Sequence, residues 1–187
     1  LRQLSNKIKE QDLLFHISTK VMSIDASSMQ EHLTTITEMI GKYAGAKRTH
    51  LIIYGTSGQR EDLQYFVASD QYCDEQQNEG DDLQEKRMIE IQSEIAQSSW
   101  FERKFQDEGY AYIDQIGNLP LSARVEEQLL EQQGVESLFA IPIMRNGIQT
   151  GMLRMDFSTK EACNGKDRIQ TFMTVGNLIG EAYGKAE

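Results

Sequence analysis

Arg154 and Asp156 are the most chemically demanding pair in the chain, because they sit inside the largely apolar run FAIPIMRNGIQTGMLRMDF, residues 139–157. A guanidinium cannot shed its charge, so burying one requires an anionic or carbonyl partner. A spacing of two places both side chains on one face of a strand. Two readings follow. Arg154 forms a structural ion pair, with Asp156 or with a loop carboxylate such as Asp114, or it reaches into a pocket and holds an anionic group of a ligand. Other residues offer less. His16, His32 and His50 are scattered, and none has a Ser or Cys at a spacing that makes an activated nucleophile. No phosphate-cradling GxxxxGK, no GxGxxG and no HExxH occurs. Cys73 and Cys163 lie ninety positions apart without CxxC or Cys/His spacing, which argues against a metal site or disulfide framework and for a reduced, cytoplasmic setting. The pattern points to binding without chemistry of its own; no enzyme is expected.

The totals narrow the partners. A net charge of −10 over 187 residues, with no Lys/Arg cluster longer than two, argues against nucleic acid, whose phosphates call for a basic stripe. No apolar run approaches the length of a membrane span. The chain starts at Leu1 with neither an initiator Met nor a signal-like stretch, and it reads as a segment of a longer protein.

The elements that must position Arg154 follow from periodicity. Leu1, Leu4 and Ile8 keep helical spacing, and Leu14, Ile17, Val21 and Ile24 repeat it on a shifted stripe. Residues 1–12 are therefore expected to be the end of an upstream connecting helix, and 13–187 a single α+β domain. Ser28 and Glu31 have capping-box spacing ahead of a second helix that stops near Gly45. THLIIYG and LQYFVAS then read as strands joined by TSGQRED, and YCDEQQNEGDDLQEKR as a solvated loop without the calcium-loop pattern. Met88, Ile91 and Ile95 mark a helix, continued as cover by Trp100, Phe101 and Phe105. YAYID is a third strand, residues 122–133 form a helix closed by Gly134, and Ile169, Phe172, Met173, Leu178 and Ile179 lie on a final helix.

Asn146-Gly147 between apolar runs signals a two-residue hairpin loop. That loop predicts pairing of Arg145 with Ile148, Ile143 with Thr150, Ile141 with Met152 and Phe139 with Arg154. Arg154 then shares a face with Phe139, Ile141 and Met152, and a bulge would turn it to the other face. Both faces are mostly apolar, so both must be covered.

The run AYIDQIGNLPLSARVEEQLLEQQGVESLFAIPIMRNGIQTGMLRMDF resembles the GAF domain, a small-molecule-sensing module. The matching features are a strand ending in Ile-Asp, LP with a following Ala, and a Glu-rich helix closed by Gly. A strand with Ile-Pro-Ile then opens at Ser137, and NG leads to a strand beginning with Gly151. The similarity is greatest to bacterial signalling proteins, where the domain precedes cyclic-di-GMP (GGDEF or EAL) or histidine-kinase output domains. The resemblance implies a central antiparallel sheet of five or six strands. A terminal helical bundle would cover one face, and pocket-covering helices the other. It also implies a homodimer through the terminal helices, and ligand sensing that passes to an output domain. The candidate pocket residues are Tyr54, Phe66, Trp100, Tyr112 and Phe139, with Ile141, Met152, Arg154 and Asp156. The alternative is a ligand-free dimerisation module whose collapsed pocket Arg154 helps to fill.

Departures from the family pattern restrict the ligand. Arg154 stands where this variety commonly has a small residue. Asn164, Lys166 and Phe172 match part of the cyclic-nucleotide signature, but no Asp-Glu pair follows Phe172. Neither cysteine is followed by His as in bilin-attaching members, and the cysteine cluster of GAF-type methionine sulfoxide reductases is missing. The cofactor is thus unknown, with no haem, bilin or metal motif. Gly176, Gly180 and Gly184 form one stripe of the last helix and signal close approach of another backbone. With Leu4 and Ile8 they are the candidate dimer interface, set against packing of that stripe on the chain's own sheet.

Overall fold

A computed structural model describes residues 2–54, 64–69, 82–159 and 168–186. The elements are α1 (Arg2–Met22), α2 (Met29–Ala44), β1 (Arg48–Ile53), β2 (Gln64–Ser69), α3 (Asp82–Ala96), α4 (Ser99–Glu108), β3 (Ala111–Ile113), α5 (Arg124–Gln132), β4 (Ser137–Arg145), β5 (Ile148–Phe157) and α6 (Ile169–Ala186). The strands form one antiparallel sheet in the order β2-β1-β5-β4-β3, which puts β5, the strand of Arg154, in the centre. TSGQRED, most of the acidic segment, both cysteines, Asn164 and Lys166 lie outside the described residues.

Alternation along the strands sends side chains to two separate layers. Leu51, Ile53, Phe139, Ile141, Leu153 and Met155 pack against Leu13, Ile17 and Val21 of α1, Leu33, Ile36 and Ile40 of α2, and Phe172, Val175 and Ile179 of α6. On the opposite face Ile52, Leu138, Ala140 and Met152 meet Ile95 of α3, Trp100, Phe101 and Phe105 of α4, and Leu130 of α5. This is the two-sided cover the sequence calls for.

Three local expectations change. The NG turn forms, with positive φ at Asn146 (51°) and Gly147 (76°), and Arg145 pairs with Ile148. Beyond Met144–Gln149 the register shifts: Ile143 pairs with Gly151, Ile141 with Leu153, and Ala140, not Phe139, with Arg154. Thr150 is the surplus residue, and its carbonyl accepts from the Tyr54 N–H at 2.8 Å. The cause lies at Gly151, where a Cβ would overlap the Ile52 carbonyl oxygen; the close approach of β1 requires glycine there.

The capping box also does not form. Asp25 Oδ1 accepts from the backbone N–H groups of Ser27 (2.9 Å) and Ser28 (2.8 Å) and from both their hydroxyls, so the Ser28 side chain turns to Asp25 instead of capping α2. Those hydrogen bonds lower the Asp25 pKa to about 2. Finally, the glycine stripe of α6 is occupied by its own sheet. Cβ atoms would meet Ile141 at Gly176, the Met144 carbonyl at Gly180 and the Arg145 side chain at Gly184, and Arg145 Nη2 donates to the Gly184 carbonyl at 3.1 Å. The close backbone approach is real, but the partner is β4 of the same chain.

Candidate functional site

Arg48, His50 and Ile52 alternate onto the α3/α4 face of β1, and Met152, Arg154 and Asp156 do the same on β5. Antiparallel pairing sets Arg48 opposite Asp156 and His50 opposite Arg154. On the other side of β5, Ala140 lies beside Arg154, and its short side chain leaves lateral room for the guanidinium. Arg154 is 0% exposed and Asp156 1%, so neither charge is met by bulk water.

They meet each other. Arg154 donates from Nε to Asp156 Oδ1 at 2.8 Å and from Nη2 to Oδ2 at 3.0 Å, the two-pronged geometry that suits guanidinium and carboxylate. His50 Nε2 lies 2.8 Å from Asp156 Oδ2, and His50 Nδ1 lies 2.8 Å from the Tyr65 hydroxyl. Burial first, then the Arg154 charge, lower the His50 pKa to about 4 against the opposing pull of Asp156. At neutral pH the ring is therefore uncharged. Its Nε2–H donates to Asp156 and its Nδ1 accepts from Tyr65. Burial alone would raise the Asp156 carboxyl, but the Arg154 guanidinium, helped by His50, holds it below the ordinary carboxylate range.

Two further elements complete the face. Buried Gln92 of α3 donates from Nε2 to Gln133 Oε1 at 2.9 Å, just past the end of α5. Arg48 donates from Nη2 to the Gln133 carbonyl. Among the described residues, the buried atoms without a hydrogen-bond partner include Arg154 Nη1, Arg48 Nε, Gln133 Nε2 and Ser93 Oγ. Such groups are costly to leave unmade, at about 1–3 kcal/mol each and more for charged ones.

The nine predicted pocket residues do not form one set. Tyr54, Trp100, Met152, Arg154 and Asp156 lie on the α3/α4 face. Phe66, Tyr112, Phe139 and Ile141 pack on the terminal-helix face. The register shift accounts for Phe139 and Ile141. Trp100 is buried edge-on to Phe101, with centroids 5.1 Å apart, and the Tyr54 hydroxyl donates to the Ala96 carbonyl at 2.9 Å; burial pushes that phenol up to about 12. Sequence reasoning missed Arg48, His50, Gln92, Ser93 and Gln133. Gly151 inside a strand signals the bulge that parts Phe139 and Ile141 from Arg154. Arg48 and His50 reach this face only through the pairing of β1 with β5, and Gln92 meets Gln133 only through packing.

The arrangement can hold a charged or polar group by hydrogen bonding and can fix one imidazole tautomer. Among the described residues no three His, Cys, Asp or Glu side chains cluster as a metal site would.

Sheet order and two-sided helical cover make this a GAF-like α+β fold, and comparison with solved structures bears this out. The phycoerythrobilin-bound GAF domain of a cyanobacterial phytochrome superposes with a TM-score of 0.65 at 12% identity, covering 95% of each chain. A domain of a putative two-component sensor histidine kinase from Sinorhizobium meliloti gives 0.57 at 11%, covering 83% of this chain and 91% of that one. One similar structure is an enzyme, the free methionine-R-sulfoxide reductase of Neisseria meningitidis in complex with its substrate, at 0.63 and 9%, covering 95% of this chain and 89% of that one. No protein-family model and no curated protein matches the sequence. Among the described residues, no helix is long and apolar enough to cross a membrane.

Proposed function

We propose that the chain is a regulatory small-molecule-sensing module of a larger bacterial signalling protein, without catalysis of its own. The α3/α4 face receives the ligand, and α1 and α6 carry its state to an output domain of the histidine-kinase or cyclic-di-GMP type. The observation that carries this reading is the central position of β5. Arg154 points to the polar face, while its neighbours Leu153 and Met155 are buried among α1, α2 and α6. A ligand that shifts β5 is thus felt in both layers. The coupling is set by its difference in affinity for the two arrangements, about 1–3 kcal/mol in typical cases. The structural likeness to phytochrome and sensor-kinase domains supports the same reading.

Association of two copies fits α1. Ile8, Phe15 and Met22 are exposed at strict heptad spacing with exposed Leu4 between turns, a stripe separate from buried Leu13, Ile17 and Val21. In a parallel pair, Lys7 and Asp12 take the flanking positions that face each other across the seam. Residues 1–12 then serve as the end of the connecting helix. This stripe replaces the α6 glycines as the dimer surface.

A second reading, a ligand-free dimerisation module, is favoured by the two-pronged pairing of Arg154 inside a face well filled by Trp100, Phe101 and Met152. A thermal-shift panel of metabolites, with sedimentation of the same samples, separates the two. Stabilisation by a small molecule supports sensing. A dimer that no compound stabilises supports the second reading.

A further inference from the structure

We propose that Arg48 and Arg154, with Ser93 of α3 and Gln133 beyond α5, form an anion subsite that takes one carboxylate or phosphate group of the ligand. The inference rests on the α3/α4 face being the sensing face, and it names what that face selects.

The first ground is where the cations sit. Arg48 and Arg154 bring two guanidinium groups to adjacent rows of the sheet. Of the buried carboxylates, Asp156 lies between them on β5 and Glu126 lies on α5, one turn from Leu130, and His50 is neutral near pH 7. The second ground is hydrogen-bonding capacity. Both Asp156 oxygens are engaged: Oδ1 by Arg154 Nε, and Oδ2 by Arg154 Nη2 and His50 Nε2. Three of the carboxylate's roughly four acceptor sites are taken, and none of the remaining donors is bonded to it. Those donors are Arg154 Nη1, Arg48 Nε, Gln133 Nε2 and the Ser93 hydroxyl, all buried and without a partner. Three of the four are N–H groups that can only donate, and two of these belong to guanidinium groups. An oxyanion supplies a charged acceptor for guanidinium N–H groups and several lone pairs at once, whereas a neutral amide supplies one acceptor and no charge.

The third ground is that these donors sit on separate elements that already touch. Arg48 on β1 donates to the Gln133 carbonyl, Gln133 accepts from Gln92 on α3, and Ser93 follows Gln92 in sequence. An anion seated among them ties α3 and the end of α5 to the sheet through β1 and β5.

The test is titration calorimetry at constant ionic strength, with chloride as the balancing anion. The probes are acetate, succinate and inorganic phosphate, each carboxylate matched by its neutral amide, acetamide or succinamide. At least one anion is expected to bind one per chain while the amides do not, with affinity at least tenfold lower in Arg48→Gln and in Ser93→Ala. Arg48 is half-buried and Ser93→Ala removes only a hydroxyl, so both variants are expected to fold; circular dichroism checks this. Succinate binding without phosphate binding assigns a carboxylate, and the reverse a phosphate. Equal binding of anion and amide, or anion affinity unchanged in both variants, overturns the proposal. If a neutral metabolite binds and no anion does, the anion subsite is wrong while sensing stands. If nothing binds, both fall, and the four donors are served by trapped water.

Discussion

The two faces of the sheet are buried to similar depth but differ in what they bury. The terminal-helix face joins Leu, Ile, Val, Phe and Met side chains from three helices and the strands. The α3/α4 face has an apolar rim of Trp100, Phe101, Ile113 and Met152, but its centre holds Arg154, Asp156 and His50. An apolar layer stabilises in proportion to the area it hides, whereas a buried charge network is at best an even exchange against hydrophobic residues of the same size. A face that holds such a network gains little stability from it over an apolar one. That contrast joins the central position of β5 in supporting the proposed function.

The sharpest way to break the comparison is Asp156→Ala. It leaves the Arg154 guanidinium without its carboxylate and His50 without its acceptor, and is expected to cost about 3–5 kcal/mol in denaturant unfolding. The double change Arg154→Met with Asp156→Leu should recover much of that loss. A double variant no more stable than the single would mean the network itself holds the fold.

Acid should distinguish the faces next. The folded-state pKa of His50, about 4, lies below the ordinary 6.5. Its contribution is therefore complete above pH 6.5 and declines as pH falls toward 4, because the unfolded chain takes up a proton that the folded one refuses. The loss is on the order of 3 kcal/mol. Asp156, also depressed, adds a further loss below about pH 4, where the unfolded carboxyl protonates first. His50→Gln should flatten the slope between pH 6.5 and 4. An unchanged slope would place the acid sensitivity elsewhere.

On the apolar face the effects are steric. Gly180→Ala forces a Cβ into the Met144 carbonyl and is expected to cost about 1–3 kcal/mol, independent of pH between 4 and 8. The smallest effect falls outside both layers. Phe15→Ser on the exposed stripe of α1 should change stability by less than about 0.5 kcal/mol, yet shift sedimentation toward monomer. A dimer that survives Phe15→Ser would exclude that seam.

What was legible in the sequence was local or periodic. Asn146-Gly147 announces its turn because positive φ at two successive residues is a demand few sequences meet, and the helices show their buried stripes. The Arg154–Asp156 pair was among the stated alternatives because period two is intrinsic to a strand. The misses are tertiary. Thr150 becomes surplus only because β1 passes close to Gly151, and that one residue moves Phe139 and Ile141 to the other layer. Ser28 loses its capping role to a carboxylate three residues earlier, since Asp25 outcompetes the helix for its hydroxyl. The α6 glycines declare a close approach but not to which backbone. His50 needs the pairing of β1 with β5 before its partners can be named.

The most direct measurement is native mass spectrometry of the freshly purified chain, compared with its denatured mass. A sensing module should show an extra mass that disappears on denaturation, or one that appears when the native chain is incubated with the compound that stabilises it, at one equivalent per chain. A bare mass in every case, with no compound retained, would contradict sensing and leave the α3/α4 face as a closed core.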